Sequence, residues 1–270
     1  MSTPKSWFNQ GSMSQLFQPG KVLHLSHPQE GKWRIDEIIK EYNKQRAQQH
    51  VKKDAPSYAA IKLSCSRADD PNFHAMMRVY IQIPYKNTEL EEPKDRAKQA
   101  IEFKPKELQA FQILSNDSTT CDITPALLGY QESKQEASDI VQGGFLTIVV
   151  WQIVPGLRLA DSSESQEPVG FWESGLDLEE RNLIRAQFKE TIQIMQKAGV
   201  EPDPFCVSNL VWHAESKTLF WIGFREWGSS TAQLPWSEFW WYYFKLAQVD
   251  GFENHPLDDE WDGDTSKWYW

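Results

Sequence analysis

The side chains best suited to chemistry lie together in residues 203–227. This stretch holds Asp203, Asn209, His213, Arg225 and Glu226 among Trp212, Trp221 and Trp227. His213 has the side chain of a general acid or base. Arg225 and Glu226 add one charge of each sign, and aromatic walls with few polar groups are how small-molecule pockets are built. The same spacing fits a plainer reading, with His213 at a hairpin tip and the Trp rings in a core. Other chemistries find no pattern. Cys65, Cys121 and Cys206 are far apart, with no CxxC and no Cys/His pair at zinc spacing. Cys206 has no base beside it in sequence, and no G-x-S-x-G elbow occurs. Residues 258–264 are acidic but lack the spacing of a calcium loop, which leaves a solvated loop.

The elements that would hold these residues can be read from periodicity. Residues 1–31 are polar and weakly patterned, an arm that Trp7 and Phe8 could dock. Residues 33–39 suit a short strand or the start of a helix, and the polar run 41–54 suits a helical excursion or a long loop. Residues 58–65 and 74–84 read as strands; in the second, Met77, Val79, Ile81 and Ile83 alternate with Arg78, Tyr80 and Gln82. Pro105 opens a helix whose apolar residues include Leu108 and Phe111. A short strand at 127–130 precedes the apolar run 145–154, which suits a buried central strand stopped by Pro155-Gly156. Asp177 caps a helix that Gly199 ends, with Leu183, Ile184, Phe188, Ile192 and Met195 as its buried stripe. Two short strands at 210–212 and 219–222 flank a turn, and 238–248 reads as an aromatic helix. The order implies an α+β chain: an arm (1–31), a β-rich lobe with one helix (32–154), and a mostly helical lobe with a small hairpin (155–270).

Three stretches resemble protein-kinase-like phosphotransferases, the group that includes aminoglycoside and choline kinases. Gln152-Ile153-Val154-Pro155-Gly156-Leu157-Arg158-Leu159 is similar to that group's hinge between lobes. The helix 177–198 is similar to the one before its catalytic loop. Asn209-Leu210-Val211-Trp212 and Leu219-Phe220-Trp221-Ile222-Gly223-Phe224 are similar to its catalytic-loop Asn, the following hairpin and the D-F segment. In detail, residues 144–156 and Glu180 to Lys189 resemble a set of fungal kinase-like proteins. The resemblance implies a two-lobed protein-kinase-like fold with a β-rich N-lobe and a mostly helical C-lobe.

Phosphoryl transfer is mostly positioning and charge neutralisation, and the resemblance lets each part be tested. The loop 41–55 contains no glycine, so it offers no close-approaching phosphate cradle. Ala59-Ala60-Ile61-Lys62 is similar to the V-A-I-K motif, while strand order favours Arg78; Glu107 is the candidate ion-pair partner of either. The catalytic Asp position holds Pro204, with Asp203 beside it. The metal Asp position holds Gly223, which leaves Asn209 as a single neutral ligand, a poor magnesium site. No metal and no cofactor is therefore expected.

The resulting expectation is a catalytically degenerate kinase-like protein that binds an apolar small molecule or a protein. One alternative is a cleft enzyme (cyclase, isomerase or lyase) of fungal secondary metabolism that uses Asp203, His213, Arg225 and Glu226. Another is a divergent small-molecule phosphotransferase using Asp203 and Glu226. Lys62, Arg78, Glu107 and Asn209 are the cofactor-side candidates. A net charge of -10 without a basic stripe argues against nucleic acid. No apolar run reaches membrane length. Sparse cysteines and a polar N-terminus lead to the expectation of a cytoplasmic protein.

Overall fold

A computed structural model describes residues 6–52, 55–160, 169–173, 175–203, 206–228, 235–249 and 263–270. Pro204 and most of the acidic stretch 258–264 lie outside them. The chain forms two units, Met1–Leu108 with Ala126–Ile153, and Gln109–Pro125 with Val154–Trp270.

The first unit is built on a six-stranded sheet. After a short helix α1 (Met13–Leu16), its strands are β1 (Val22–Leu25), β2 (Gly31–Lys44), β3 (Tyr58–Arg67) and β4 (His74–Gln82). Helix α2 (Pro93–Ala97) follows, then α3 (Lys106–Ser115), which begins in this unit and runs on in the second, then β5 (Leu127–Lys134) and β6 (Phe145–Gln152). The strand order is β1-β2-β3-β4-β6-β5, with every neighbouring pair antiparallel. The two edge strands approach each other: Tyr130 N donates to His27 O at 2.7 Å and the two rings stack at 5.1 Å. The sheet is thus nearly closed, which leaves little open edge.

Alternation sorts the side chains onto two faces. Ile61, Leu63, Met77, Val79, Ile81, Leu146, Ile148 and Val150 share one buried cluster, to which the N-terminal segment adds Phe8, Met13 and Phe17. The opposite face carries Tyr58, Ala60, Tyr80 and Phe145, packed with Tyr42, Ile101 and Phe103. β2 differs from the reading of 41–54 as helix or loop. Its polar residues pair with β3 as far as Lys44↔Tyr58, and a 3-10 turn, Gln48–His50, comes only after that. Two bulges break its alternation, and the ladder overrides the local preference of a Glu- and Lys-rich run.

The second unit corrects the expected fold class. The described part of 155–270 is not mostly helical, and the molecule is β-rich. Its strands are β7 (Leu157–Arg158), β8 (Glu201–Pro202), β9 (Leu210–His213), β10 (Thr218–Trp221), β11 (Trp227–Gly228), β12 (Gln248–Val249) and β13 (Trp268–Tyr269). They form small sheets ordered β10-β9-β7, β11-β8 and β12-β13. Its helices are α4 (Val169–Trp172), α5 (Leu178–Lys197) and α6 (Phe239–Tyr243), of which only α5, with 20 residues, is long.

The aromatic run after 238 explains the error. At 3.6 residues per turn Phe239, Trp240, Phe244, Leu246 and Ala247 fall within about 160° of one face, so their spacing mimics that of a continuous helix. The chain instead leaves the helix at Phe244 and turns at Lys245 (φ 56), and all five of those side chains are buried. α5 starts as expected, with Asp177 Oδ1 accepting from Glu180 N at 2.8 Å. Its stripe is shifted, however: Leu183 is exposed while Arg185 is buried beside Ile184, Phe188 and Ile192.

Candidate functional site

The candidates fall into two groups, one in each unit. In the first unit, β4 turns Arg78 and Tyr80 to the same face, and Pro105 opens α3 so that Glu107 lies in its first turn. Arg78 Nη1 donates to Glu107 Oε1, and Tyr80 OH donates to Glu107 Oε2 at 2.8 Å. The indole of Trp151 lies 5.2 Å from the Arg78 guanidinium, a cation–π contact. Arg78 and Glu107 retain only 11% and 3% of their side-chain exposure. Burial by itself would lower the Arg78 pKa. The Glu107 carboxylate, with smaller help from Tyr80 and Tyr42, overcomes it and holds the group above its ordinary range. Burial, and then Glu107, push the Tyr80 phenol well above its ordinary value. Lys62 is directly across from Arg78 in the β3–β4 ladder, with Lys40 across from Lys62.

On the same face, Gln82 Oε1 accepts from Ile101 N at 3.0 Å and fastens residues 101–104 along the sheet. The result is a groove of ≈ 420 Å³ with a floor that includes Ile101, Phe103 and Phe145. Its rim pairs Lys104 with Glu132 at 3.7 Å and Lys134 with Glu102 at 3.6 Å.

In the second unit, a 3-10 turn at Val207–Asn209 leads into β9, and β10 returns to Gly223. Ile222 N donates to Asn209 O at 2.8 Å, which brings Asn209 against the Gly223 backbone. Gly223 has φ +86, a conformation that L side chains rarely adopt. A Cβ there would lie 2.7 Å from Asn209 Cγ and closer still to Oδ1. The backbone angle and the Asn209 amide each disfavour a carboxylate at this position.

The other candidates are more dispersed. Asp203 N donates to Glu226 O at 3.3 Å through the β8–β11 pairing. Asp203 and Arg225 are exposed. His213 Nδ1 lies 2.7 Å from Ser216 Oγ at the far end of the hairpin. Four residues separate it from Asn209, roughly 13 Å at strand rise, so these two do not converge. The Trp rings belong to the core. Trp221 is fully buried, donates to Thr191 Oγ1 at 2.8 Å and stacks on Phe188 at 5.4 Å. Trp212 donates to Glu180 Oε1 at 2.8 Å. Among the described residues no group of three or more His, Cys, Asp or Glu is placed to hold a metal ion, and no helix is long and apolar enough to cross a membrane.

Sequence reasoning missed Tyr80 and Trp151. Tyr80 was visible in principle, because strand alternation places it on the face of Arg78; Trp151 was read as part of an apolar run.

No protein-family model matches the chain, and no curated protein does. Among solved structures the chain is similar to the BubR1 kinase domain, with 8% identity and a TM-score of 0.43. That similarity covers 81% of this chain and 53% of the other, so the chain spans about half the length of that structure. A likeness this weak assigns neither fold nor activity.

Proposed function

We propose that the chain is a catalytically degenerate kinase-like protein that binds a ligand and does not transfer phosphate. The observation that carries this reading is the closed contact between Asn209 and Gly223. Phosphoryl transfer relies on metal ions held by an Asn and a carboxylate, on a cation placed at the phosphates and on a base. Position 223 carries no carboxylate, and a side chain there would be strained and would have to displace the Asn209 amide. The cation does not separate the two readings: Arg78 is paired with Glu107 and covered by Trp151, and an active kinase also pairs its phosphate-binding cation with a glutamate. The groove over Phe103 and Phe145 has the volume of a small-molecule site, and its apolar floor favours an apolar ligand.

Phosphate release in the presence of ATP and Mg²⁺ tests the proposal. No Mg²⁺-dependent release is expected, and Asp203→Ala changes nothing. Release that requires Mg²⁺ and disappears in Asp203→Ala would overturn it.

A further inference from the structure

The sheet face that carries Arg78 and Tyr80 also carries a polar side chain that the fold leaves unused. Thr147 on β6 is directly across from Tyr80 of β4 on one side and from Glu132 of β5 on the other. It is 1% exposed and lines the groove beside residues 101–104. Among the described residues its hydroxyl has no hydrogen-bond partner, and it is not one of the polar atoms sealed from solvent, so its remaining exposure is toward the groove. The neighbouring hydroxyls are committed: Tyr80 OH donates to Glu107 Oε2 at 2.8 Å and Ser133 Oγ to Leu146 O at 3.2 Å. A Thr hydroxyl both donates and accepts, and burying one without a partner costs free energy. Thr147 is therefore a single polar point on an apolar floor.

The floor around it is aromatic. The rings of Phe103 and Phe145 lie 5.0 Å apart at 49°, and Phe103 is backed by Tyr58 at 6.4 Å and 21°. Two rings at such an angle offer a face and an edge to a third. The rim sets the charge. Lys104 reaches Glu132 at 3.7 Å, and Lys134 reaches Glu102 at 3.6 Å. Glu132 and Lys134 alternate on β5, and Glu102 and Lys104 alternate on the segment they meet, so the two pairs point in opposite senses. Any charge on a ligand meets one favourable and one unfavourable end at each side, which leaves its desolvation uncompensated. Exposed pairs of this length hold weakly and part easily.

We propose that this groove binds a neutral phenol, with the ring on Phe103 and Phe145 and the hydroxyl on Thr147 Oγ1. The proposal rests on the ligand-binding reading above and narrows it to one chemical class. A volume of ≈ 420 Å³ suits a ligand of one or two rings. An amide or a carboxyl would bring a second polar group to a floor that has one hydroxyl to offer.

Titration of the full chain with p-cresol, followed in methyl NMR spectra, tests this, with toluene as the ring lacking the hydroxyl. p-Cresol is expected to bind saturably, shifting the Ile101 and Thr147 methyl signals, and toluene to bind roughly three- to tenfold more weakly, the loss of one hydrogen bond. 4-Methylbenzoate and 4-methylbenzylammonium are expected to be weaker than p-cresol. Thr147→Val keeps the shape and removes the hydroxyl; it should hold the toluene affinity and erase the advantage of p-cresol. Thr147→Ser, which keeps the hydroxyl, should preserve that advantage, and Phe103→Ala should weaken both ligands. Equal affinity for p-cresol and toluene in the wild type, or an advantage that survives in Thr147→Val, overturns the phenol assignment and leaves the ligand-binding reading standing. Tighter binding of either charged analogue overturns it too. No saturable binding of p-cresol or toluene by the folded wild type overturns the proposal and removes this groove from the ligand-binding reading as well.

Discussion

Arg78 and Arg185 are both buried against aromatic rings, but their counter-charges differ. Arg78 faces Glu107, whose second oxygen is taken by Tyr80, so its charge is matched, although its Nε is buried without an acceptor. Arg185 faces a backbone carbonyl, an Asn side chain, three rings and another arginine, and one of its nitrogens has no acceptor. A buried charge that is internally matched has little left to offer a ligand, while one that is unmatched still has its full attraction for an anion. The residue that the sequence resemblance offers as a phosphate-binding cation is the charge-matched one. The one without a counter-charge among the described residues lies on a helix that the kinase resemblance gives no ligand role.

Removing Glu107 gives the largest test of this contrast. Glu107→Gln leaves Arg78 charged, buried and unmatched, at an expected cost of about 3–5 kcal/mol in denaturant unfolding. The double variant Arg78→Met with Glu107→Leu, which removes both charges, should recover most of that loss; if it does not, the pair is more than a matched charge. Next in size is Gly223→Asp, which places a side chain at φ +86 against Asn209. It should cost about 2–3 kcal/mol and bring no Mg²⁺ binding by calorimetry. Asn209→Ala in that background relieves only the contact and leaves the backbone strain. Tyr80→Phe removes one hydrogen bond to a carboxylate and should cost about 1.5–2 kcal/mol, seen as a lower midpoint at unchanged slope.

The same contrast marks what the sequence could reveal. Residues 74–84 alternate cleanly, so β4 and the face shared by Arg78 and Tyr80 could be read from it. The Asp177 cap and the Ile184, Phe188, Ile192, Met195 spacing announced α5. β2 was hidden because its Glu and Lys side chains reflect solvent exposure, whereas its pairing with β3 is a tertiary fact. The helical expectation for 238–248 failed because aromatic residues declare burial without declaring the backbone that achieves it. The Asn209–Gly223 contact was half visible: the missing carboxylate could be read, the side chain filling its place could not. Arg185 lies at the spacing of the buried stripe, but an arginine in a helix is taken for a surface residue unless its partners are known.

The smallest expected effect bears most directly on the comparison. Replacing a buried ion by an apolar residue of similar volume is often neutral or stabilising when the ion lacks a good partner. Arg185→Met keeps much of the side-chain volume under Phe171, Trp172 and Trp270 and removes the charge that Arg181 repels. It gives up the hydrogen bonds to Leu246 and Asn182. These terms oppose each other, so ligand-free stability should change by about 1 kcal/mol or less, in either direction. Arg78→Met leaves Glu107 buried without its cation and should fall by several times as much, about 3–5 kcal/mol. Urea unfolding of the two variants side by side decides the matter. Equal losses would mean that Arg185 has a counter-charge after all and that the two arginines are alike.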